Sequence, residues 1–356
     1  VGRSVRDGEL PVAEQPLPFV TPAADRWSLR SVLGREWRRM VIGVGIIGLL
    51  TAFGIRQLHL NIGNILAELR QTSPGFLSVA LGIYYVSILL RAWRWQYILH
   101  GSLPPPPSPQ PRLRSLTAMY LWSWLLNCLT PAKLGELYRG YLLKRAAPVG
   151  LSQALGSVVV ERAADLLGLC TLFLVAIGAT FGGALASPLR RWVLWAIALA
   201  VCTGLVLWLF VRFRETLARM LPPRFQSIYR GLEAGVLGAR QEIPKILVLT
   251  AAIWGLEGVR FYFAALALGL ALPMLIAFLA ALLASLLTTL PITPSGLGFV
   301  EAGVTGALVL AGFAPDQAVA VTLVDRIVAY WSVLVIVPPL WLAAIALERW
   351  FRAHRA

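Results

Sequence analysis

Two short stretches decide how this chain folds: Leu-Thr-Pro-Ala-Lys-Leu-Gly-Glu at Leu129–Glu136, and Ile-Thr-Pro-Ser-Gly-Leu-Gly-Phe-Val-Glu at Ile292–Glu301. Each interrupts a long apolar run with Pro and Gly, the two residues that least tolerate a helix interior. They align with Thr130 matched to Thr293, Pro131 to Pro294 and Leu134 to Leu297. Further along, Val160-Glu161-Arg162 matches Val324-Asp325-Arg326 at nearly the same offset, 163 for the threonines and 164 for the acids. Coincidental kinks in a Pro-rich protein would not reproduce an acid-Arg pair at the matched distance.

The surroundings of the breaks define the medium. Of 356 residues 58% are hydrophobic and only 14% charged, against about 25% charged in soluble domains. Apolar runs long enough to span a bilayer fall at about 38–56, 75–99, 152–182, 190–211, 244–270 and 316–346. The expected fold is therefore an all-α polytopic membrane protein with six transmembrane helices.

The formal charge of +15 does not indicate nucleic acid, because the basic residues gather beside the apolar runs instead of forming a stripe interleaved with aromatics. Arg38 and Arg39, Arg112 and Arg114, the series from Arg212 to Arg240, and Arg349, Arg352 and Arg355 all fall on one side if both termini are cytoplasmic. Residues 1–36, rich in Pro and Arg, are expected to be a disordered cytoplasmic tail, and 348–356 a second short one. Residues 212–242 are expected to lie at the cytoplasmic interface.

The two interrupted segments do not fit as crossings. If 116–129 crossed fully, Lys133, Arg139, Lys144 and Arg145 would sit outside, against the charge rule. The arms of 275–313, broken at Pro291, Pro294, Gly296 and Gly298, are each too short to span. Both are expected to be re-entrant hairpins, broken in the first case at Thr130, Pro131 and Gly135, and entering from opposite faces. One half, about 75–182, and another, about 244–346, joined through 190–243, then form an inverted repeat within a membrane domain at 37–347. Matched interruptions of this kind point to a transport site near the midplane.

Charges inside such segments cost about 2.5–3.5 kcal/mol each on insertion scales and require partners, a cavity or a role. The candidates are Glu136, Arg139, Glu161, Arg162, Asp165, Glu257, Arg260, Glu301, Asp325 and Arg326, with Lys133 beside them. Arg91 and Arg94 flank Trp93 and Trp95; snorkelling at the interface accounts for them, and the alternative is that Arg91 reaches a lipid phosphate. Cys128, Cys170 and Cys202 show no CxxC spacing, and the three histidines are scattered, so neither a metal site nor a cofactor is expected.

The pattern Asn127-x-x-Thr130-Pro131-x-x-x-Gly135-Glu136-x-x-Arg139, then Ser157-Val158-x-x-Glu161-Arg162-x-x-Asp165, then Leu290-Pro291-x-x-Pro294-x-Gly296-Leu297-Gly298-x-x-Glu301, and finally Asp325-Arg326, resembles the lysylphosphatidylglycerol synthase/flippase transmembrane family over about residues 40–346. That resemblance implies a bacterial or archaeal inner-membrane flippase portion, with Glu136, Arg139, Glu161, Arg162, Asp165, Glu301, Asp325 and Arg326 lining a lipid-headgroup path. The expectation is a stand-alone flippase-like member without an acyltransferase-like domain after the last crossing, and Lys133 at the first break departs from the family's pattern. The function expected is movement of a polar-headgroup lipid, whether an aminoacylated or anionic phospholipid or a polyprenyl-phosphate lipid. Rival readings are a membrane-embedded headgroup transferase and a scaffold for a lipid-modifying enzyme. The expected partners are membrane lipids, a second copy of the chain and such an enzyme.

Overall fold

The computed structural model describes residues 62–103, 111–130, 133–181, 187–288 and 293–353. The expected crossing at 38–56, the tail at 1–36, and Pro131 and Pro291 lie outside them. All the regular secondary structure of the described residues is helical, without strands.

After a short α1 (Ile62–Arg70), the first half consists of α2 (Pro74–His100), α3 (Leu113–Leu129), α4 (Leu134–Ala146) and α5 (Leu151–Phe181). A connecting region follows, with α6 (Ser187–Arg212), α7 (Arg214–Met220) and α8 (Pro223–Leu237). The second half has α9 (Ile243–Ala267), α10 (Met274–Thr288), α11 (Phe299–Leu310), α12 (Pro315–Arg326) and α13 (Ser332–Ala353). A single π-turn, Ile327–Trp331, joins the last two, and α13 extends through most of the expected C-terminal tail.

Among the described residues four helical stretches are long and apolar enough to cross a membrane: Pro74–His100, Val193–Arg212, Pro223–Ala267 and Pro315–Ala343. The 31-residue α5 is as long but carries Glu161, Arg162 and Asp165. Around α6 the outward surface is apolar, with Trp195 72% exposed and Leu194, Val201, Val206 and Trp208 also exposed. A contiguous face of this kind suits lipid and would drive aggregation in water.

Helix is interrupted between α3 and α4 and again between α10 and α11. Thr130 ends α3 in extended backbone (φ −125°, ψ 144°), and Thr293 has nearly the same geometry (φ −125°, ψ 158°). The chain turns left-handed at Lys133 (φ 52°), three residues after the first threonine, and at Ser295 and Gly296 (φ 46° and 69°), two and three residues after the second. The arms α3, α4, α10 and α11 have 17, 13, 15 and 12 residues. At 1.5 Å per residue each is shorter than a hydrocarbon core of about 30 Å.

Each half packs in the same order. The first crossing lies against the first arm, the two arms against each other, and the second arm against the third long element. Two large apolar cores result, one built chiefly from α2, α3, α4 and α5, with the π-turn and the start of α13, and the other from α9 to α12; a small third cluster joins Leu169 of α5 to Trp254 of α9 and Leu282 of α10. The most extensive helix contact joins α2 to α9, the leading helices of the two halves.

Close approach explains Gly135. A Cβ there would lie 1.9 Å from the Ser123 carbonyl oxygen, and its N–H donates to Asn127 Oδ1 at 2.9 Å. The segment at 212–242 forms α7, α8 and a short turn, with α8 packed on α5 and Arg230 paired to Glu215 and Glu233.

Two substitutions at the first break should act in opposite directions. Lys133→Gly relieves a left-handed backbone that costs a side-chain-bearing residue about 1–2 kcal/mol and should raise the thermal unfolding midpoint of the detergent-solubilised protein. Gly135→Ala should lower it sharply or prevent folding; an unchanged midpoint would show that the two arms can separate without cost.

Candidate functional site

The inward face of α2 sets the site. Tyr84, Ser87, Ile88, Arg91, Arg94, Trp95 and Ile98 recur at helical spacing and are all buried, while Trp93 points outward and is exposed. Arg91 and Arg94 are 3% and 0% exposed, so they are not interfacial anchors. Snorkelling requires the charged end of the helix to reach the headgroups; here the arginines share the face turned toward α5 and α9.

Arg94 donates from Nη1 to Asp165 Oδ1 at 2.6 Å and to Thr250 Oγ1 at 2.8 Å, and its Nη2 lies 3.6 Å from Glu161 Oε1. Glu161 is fully buried and is the node of the first half. Arg139 Nη2 approaches its Oε2 at 2.9 Å, Arg162 Nη2 donates to its Oε1 at 2.5 Å, and the Tyr120 hydroxyl donates to the same oxygen. Arg162 also reaches Asp165 at 3.0 Å and Glu136 at 3.5 Å. Arg139 is stacked on the rings of Trp95 and Tyr120, 4.6 and 4.2 Å from their centroids.

A second chain of pairs crosses between the halves. Arg91 Nη2 and Ser87 Oγ both donate to Glu257 Oε1, at 3.1 and 3.0 Å. The other Glu257 oxygen accepts from Arg260 Nε at 2.8 Å, and Arg260 Nη1 donates to Asp325 at 2.5 Å. Arg91 lies between the indoles of Trp124 and Trp254, 5.3 and 5.0 Å from their centroids.

The pattern is repeated. In each half an arginine of the first crossing meets the acid of the third long element: Arg94 with Glu161, and Arg260 with Asp325. The arginine after that acid meets the glutamate that opens the returning arm: Arg162 with Glu136, and Arg326 with Glu301 at 2.9 Å. The tips of the breaks also meet, because Ser295 Oγ donates to the Asn127 carbonyl at 3.3 Å and Tyr330 donates to the Cys128 carbonyl at 3.0 Å.

The candidates from the sequence thus gather into one buried region. Asn127 uses its side-chain oxygen on Gly135, and Glu301 uses one oxygen on the Gly298 N–H at 2.6 Å. Arg94, Trp95 and Tyr120 join the site without having been singled out for it. The helical spacing of the α2 arginines held the signal for Arg94; Tyr120 carried none. Among the described residues no group of His, Cys, Asp and Glu is arranged to hold a metal ion.

The helices and their buried charges define a multi-pass membrane protein of the kind that keeps a polar interior. The chain belongs to the family described as the lysylphosphatidylglycerol synthase TM region, which matches residues 40–336. It is similar to the UPF0104 membrane protein MJ1078 of Methanocaldococcus jannaschii, 29% identical over 59% of this chain and 89% of that protein. A UPF0104 membrane protein of Methanothermobacter thermautotrophicus is 26% identical over 83% of this chain and 91% of its own length. Glycosyltransferase AglD of Haloferax volcanii is 26% identical over 85% of this chain, a match that takes in 54% of AglD.

Removing one member of a buried pair strands its partner at a cost of about 3–5 kcal/mol. Arg94→Met should therefore lower the unfolding midpoint strongly. Arg162→Gln should cost less, since the Arg162 side chain is 30% exposed. Equal stability of Arg94→Met and wild type would restore the interfacial-anchor reading.

Proposed function

We propose that this protein moves a polar-headgroup lipid across the inner membrane, the headgroup passing the charged region between the two halves while the acyl chains stay in the bilayer. One observation carries the reading: the same Arg-to-acid network is built twice, each time beside a broken hairpin, and the two breaks touch. Non-helical backbone at membrane depth persists only where protein or a polar cavity satisfies it, and paired interruptions mark transporter sites. The topology that goes with this reading has six crossings, two hairpins entering from opposite faces, an inverted relation between the halves, and both termini in the cytoplasm.

A second reading is favoured by the likeness to glycosyltransferase AglD: a headgroup transferase in which a carboxylate serves as general base. Glu136 and Glu301, with side chains 18% and 27% exposed, are the most accessible acids of the network. Service as a scaffold for such an enzyme is the corresponding non-catalytic role.

Proteoliposomes carrying fluorescent lipids, bleached from outside by an impermeant reductant, separate these readings. Wild type should expose inner-leaflet headgroups without altering them chemically. Glu161→Gln and Asp325→Asn, checked for fold by size exclusion and helicity, should slow that exposure at least about tenfold, the equivalent of 1.4 kcal/mol. Glu136→Gln serves as a milder neutralisation if those variants fail to fold. An inert wild type, or full rates in folded Glu161→Gln and Asp325→Asn, would sink the transport reading; conversion of a labelled lipid donor would favour the transferase.

A further inference from the structure

The two copies of the acid-Arg pair sit in different backbone. In the first half α5 runs as regular α-helix through Glu161, Arg162 and Asp165. In the second the helix changes form directly after Asp325 and Arg326: Ile327–Trp331 is a π-turn, and the Ser332 N–H reaches back five residues to the Ile327 carbonyl. The offset of 164 that matches Glu161 to Asp325 also matches Asp165 to Ala329. Where the first copy places a second acid against Arg94 of α2, the second copy has the middle of a π-turn.

A π-turn wedges one extra residue into the helical ladder and leaves carbonyl groups of the turn short of partners. Here hydroxyl groups supply them. Ser332 Oγ donates to the Val328 carbonyl at 2.5 Å, and the buried Tyr84 hydroxyl of α2 donates to the Ala329 carbonyl at 2.8 Å. The Tyr85 hydroxyl lies 3.3 Å from Ser332 Oγ. From within the turn, Tyr330 donates to the Cys128 carbonyl beside the first break, and its ring centroid lies 5.4 Å from the Arg326 guanidinium. The Tyr84 ring in turn faces Arg260, the partner of Asp325. One turn is thus tied to α2, to the first break and to the ion pairs of the second half.

We infer that the π-turn is a register joint and that the Tyr84 hydroxyl is its latch. With the latch released, the turn can relax to α-helix, and a shift of one residue rotates one side of the joint against the other by about 100° with an advance of about 1.5 Å. That movement carries Tyr330 off the Cys128 carbonyl or takes Asp325 and Arg326 off Arg260 and Glu301. The joint therefore couples repartnering of the ion pairs to separation of the two breaks, and Tyr84 is a positioning residue that sets how often the path opens. The inference rests on the transport reading only for what the joint serves.

The test follows amide hydrogen exchange of the full chain in nanodiscs of equal parts phosphatidylcholine and phosphatidylglycerol, with residues 163–169 of α5, the aligned stretch of regular helix, as internal reference. Tyr84→Phe keeps the ring and removes the hydroxyl. It should accelerate exchange over residues 327–333 by about fivefold, the scale of one buried hydrogen bond, and leave 163–169 as in wild type. Ser332→Ala should act in the same direction and serves if Tyr84→Phe does not fold. In the bleaching assay with proteoliposomes, both variants should expose headgroups faster than wild type by a similar factor, because the latch opens more often; a tyrosine of purely structural role would slow movement and loosen both segments together. The inference fails if exchange over 327–333 is unchanged, if both segments accelerate alike, or if wild-type movement is untouched or slowed by these variants while the transport reading stands. Local acceleration in a protein whose wild type moves no lipid would keep the joint and defeat the transport reading.

Discussion

Glu161 is the constraint on which the first half depends. A carboxylate with no solvent access must be surrounded by compensating groups, and these come from four helices: Tyr120 on α3 and Arg162 beside it on α5 donate hydrogen bonds, while the guanidinium groups of Arg94 on α2 and Arg139 on α4 lie within ion-pair distance. Once that set is satisfied, the relative positions of α2, α3, α4 and α5 are fixed together. Apolar packing alone would not single out this arrangement, because lipid tails are as apolar as the helix faces and provide no hydrophobic drive between helices.

Such a node is not an economical way to stabilise a protein. Well-packed apolar residues of similar volume often match or exceed a buried ion pair in stability, and each arginine raises the cost of inserting α2. The network is also built twice, with the order arginine, acid, arginine, glutamate kept in both halves. Duplication of a costly feature at two touching hairpin breaks is readily understood if the polar interior itself is what the fold is for. The two copies differ at the aligned positions Lys133 and Gly296.

The sequence made the helical class, the positions of the breaks and most of the charged residues legible, for physical reasons. Apolar runs, prolines and glycines act locally, and charges in an apolar context stand out by composition. Left-handed backbone occurs at the aligned positions Lys133 and Gly296 and also at Ser295, and nothing local in the sequence specified it. Pairing was not legible: Arg94 meets Asp165 across 71 positions, Arg91 meets Glu257 across 166, and neither has a local signature. The reading of Arg91 and Arg94 as anchors went astray because position near a helix end suggested the interface, whereas the orientation of their face decided burial. Tyr120 looks like any aromatic in an apolar arm until the buried acid facing it is seen.

The division of labour between the two apolar cores and the ionic seam bears on movement. A close-packed core resists sliding, because any displacement opens voids that cost contacts on every wall. Much of the contact between the leading helices is of another kind: Ser87 and Arg91 meet Glu257, Arg94 meets Thr250, and the Arg260 guanidinium lies 5.9 Å from the Tyr84 ring centroid. Groups of this sort can exchange partners while staying satisfied, as Arg162 already does by meeting Glu136, Glu161 and Asp165 at once. The seam is not wholly polar, since Leu169 of α5 packs against Trp254 of α9 and Leu282 of α10. Exchange of partners is therefore open to the ionic part of the seam, while this apolar contact resists displacement as the larger cores do.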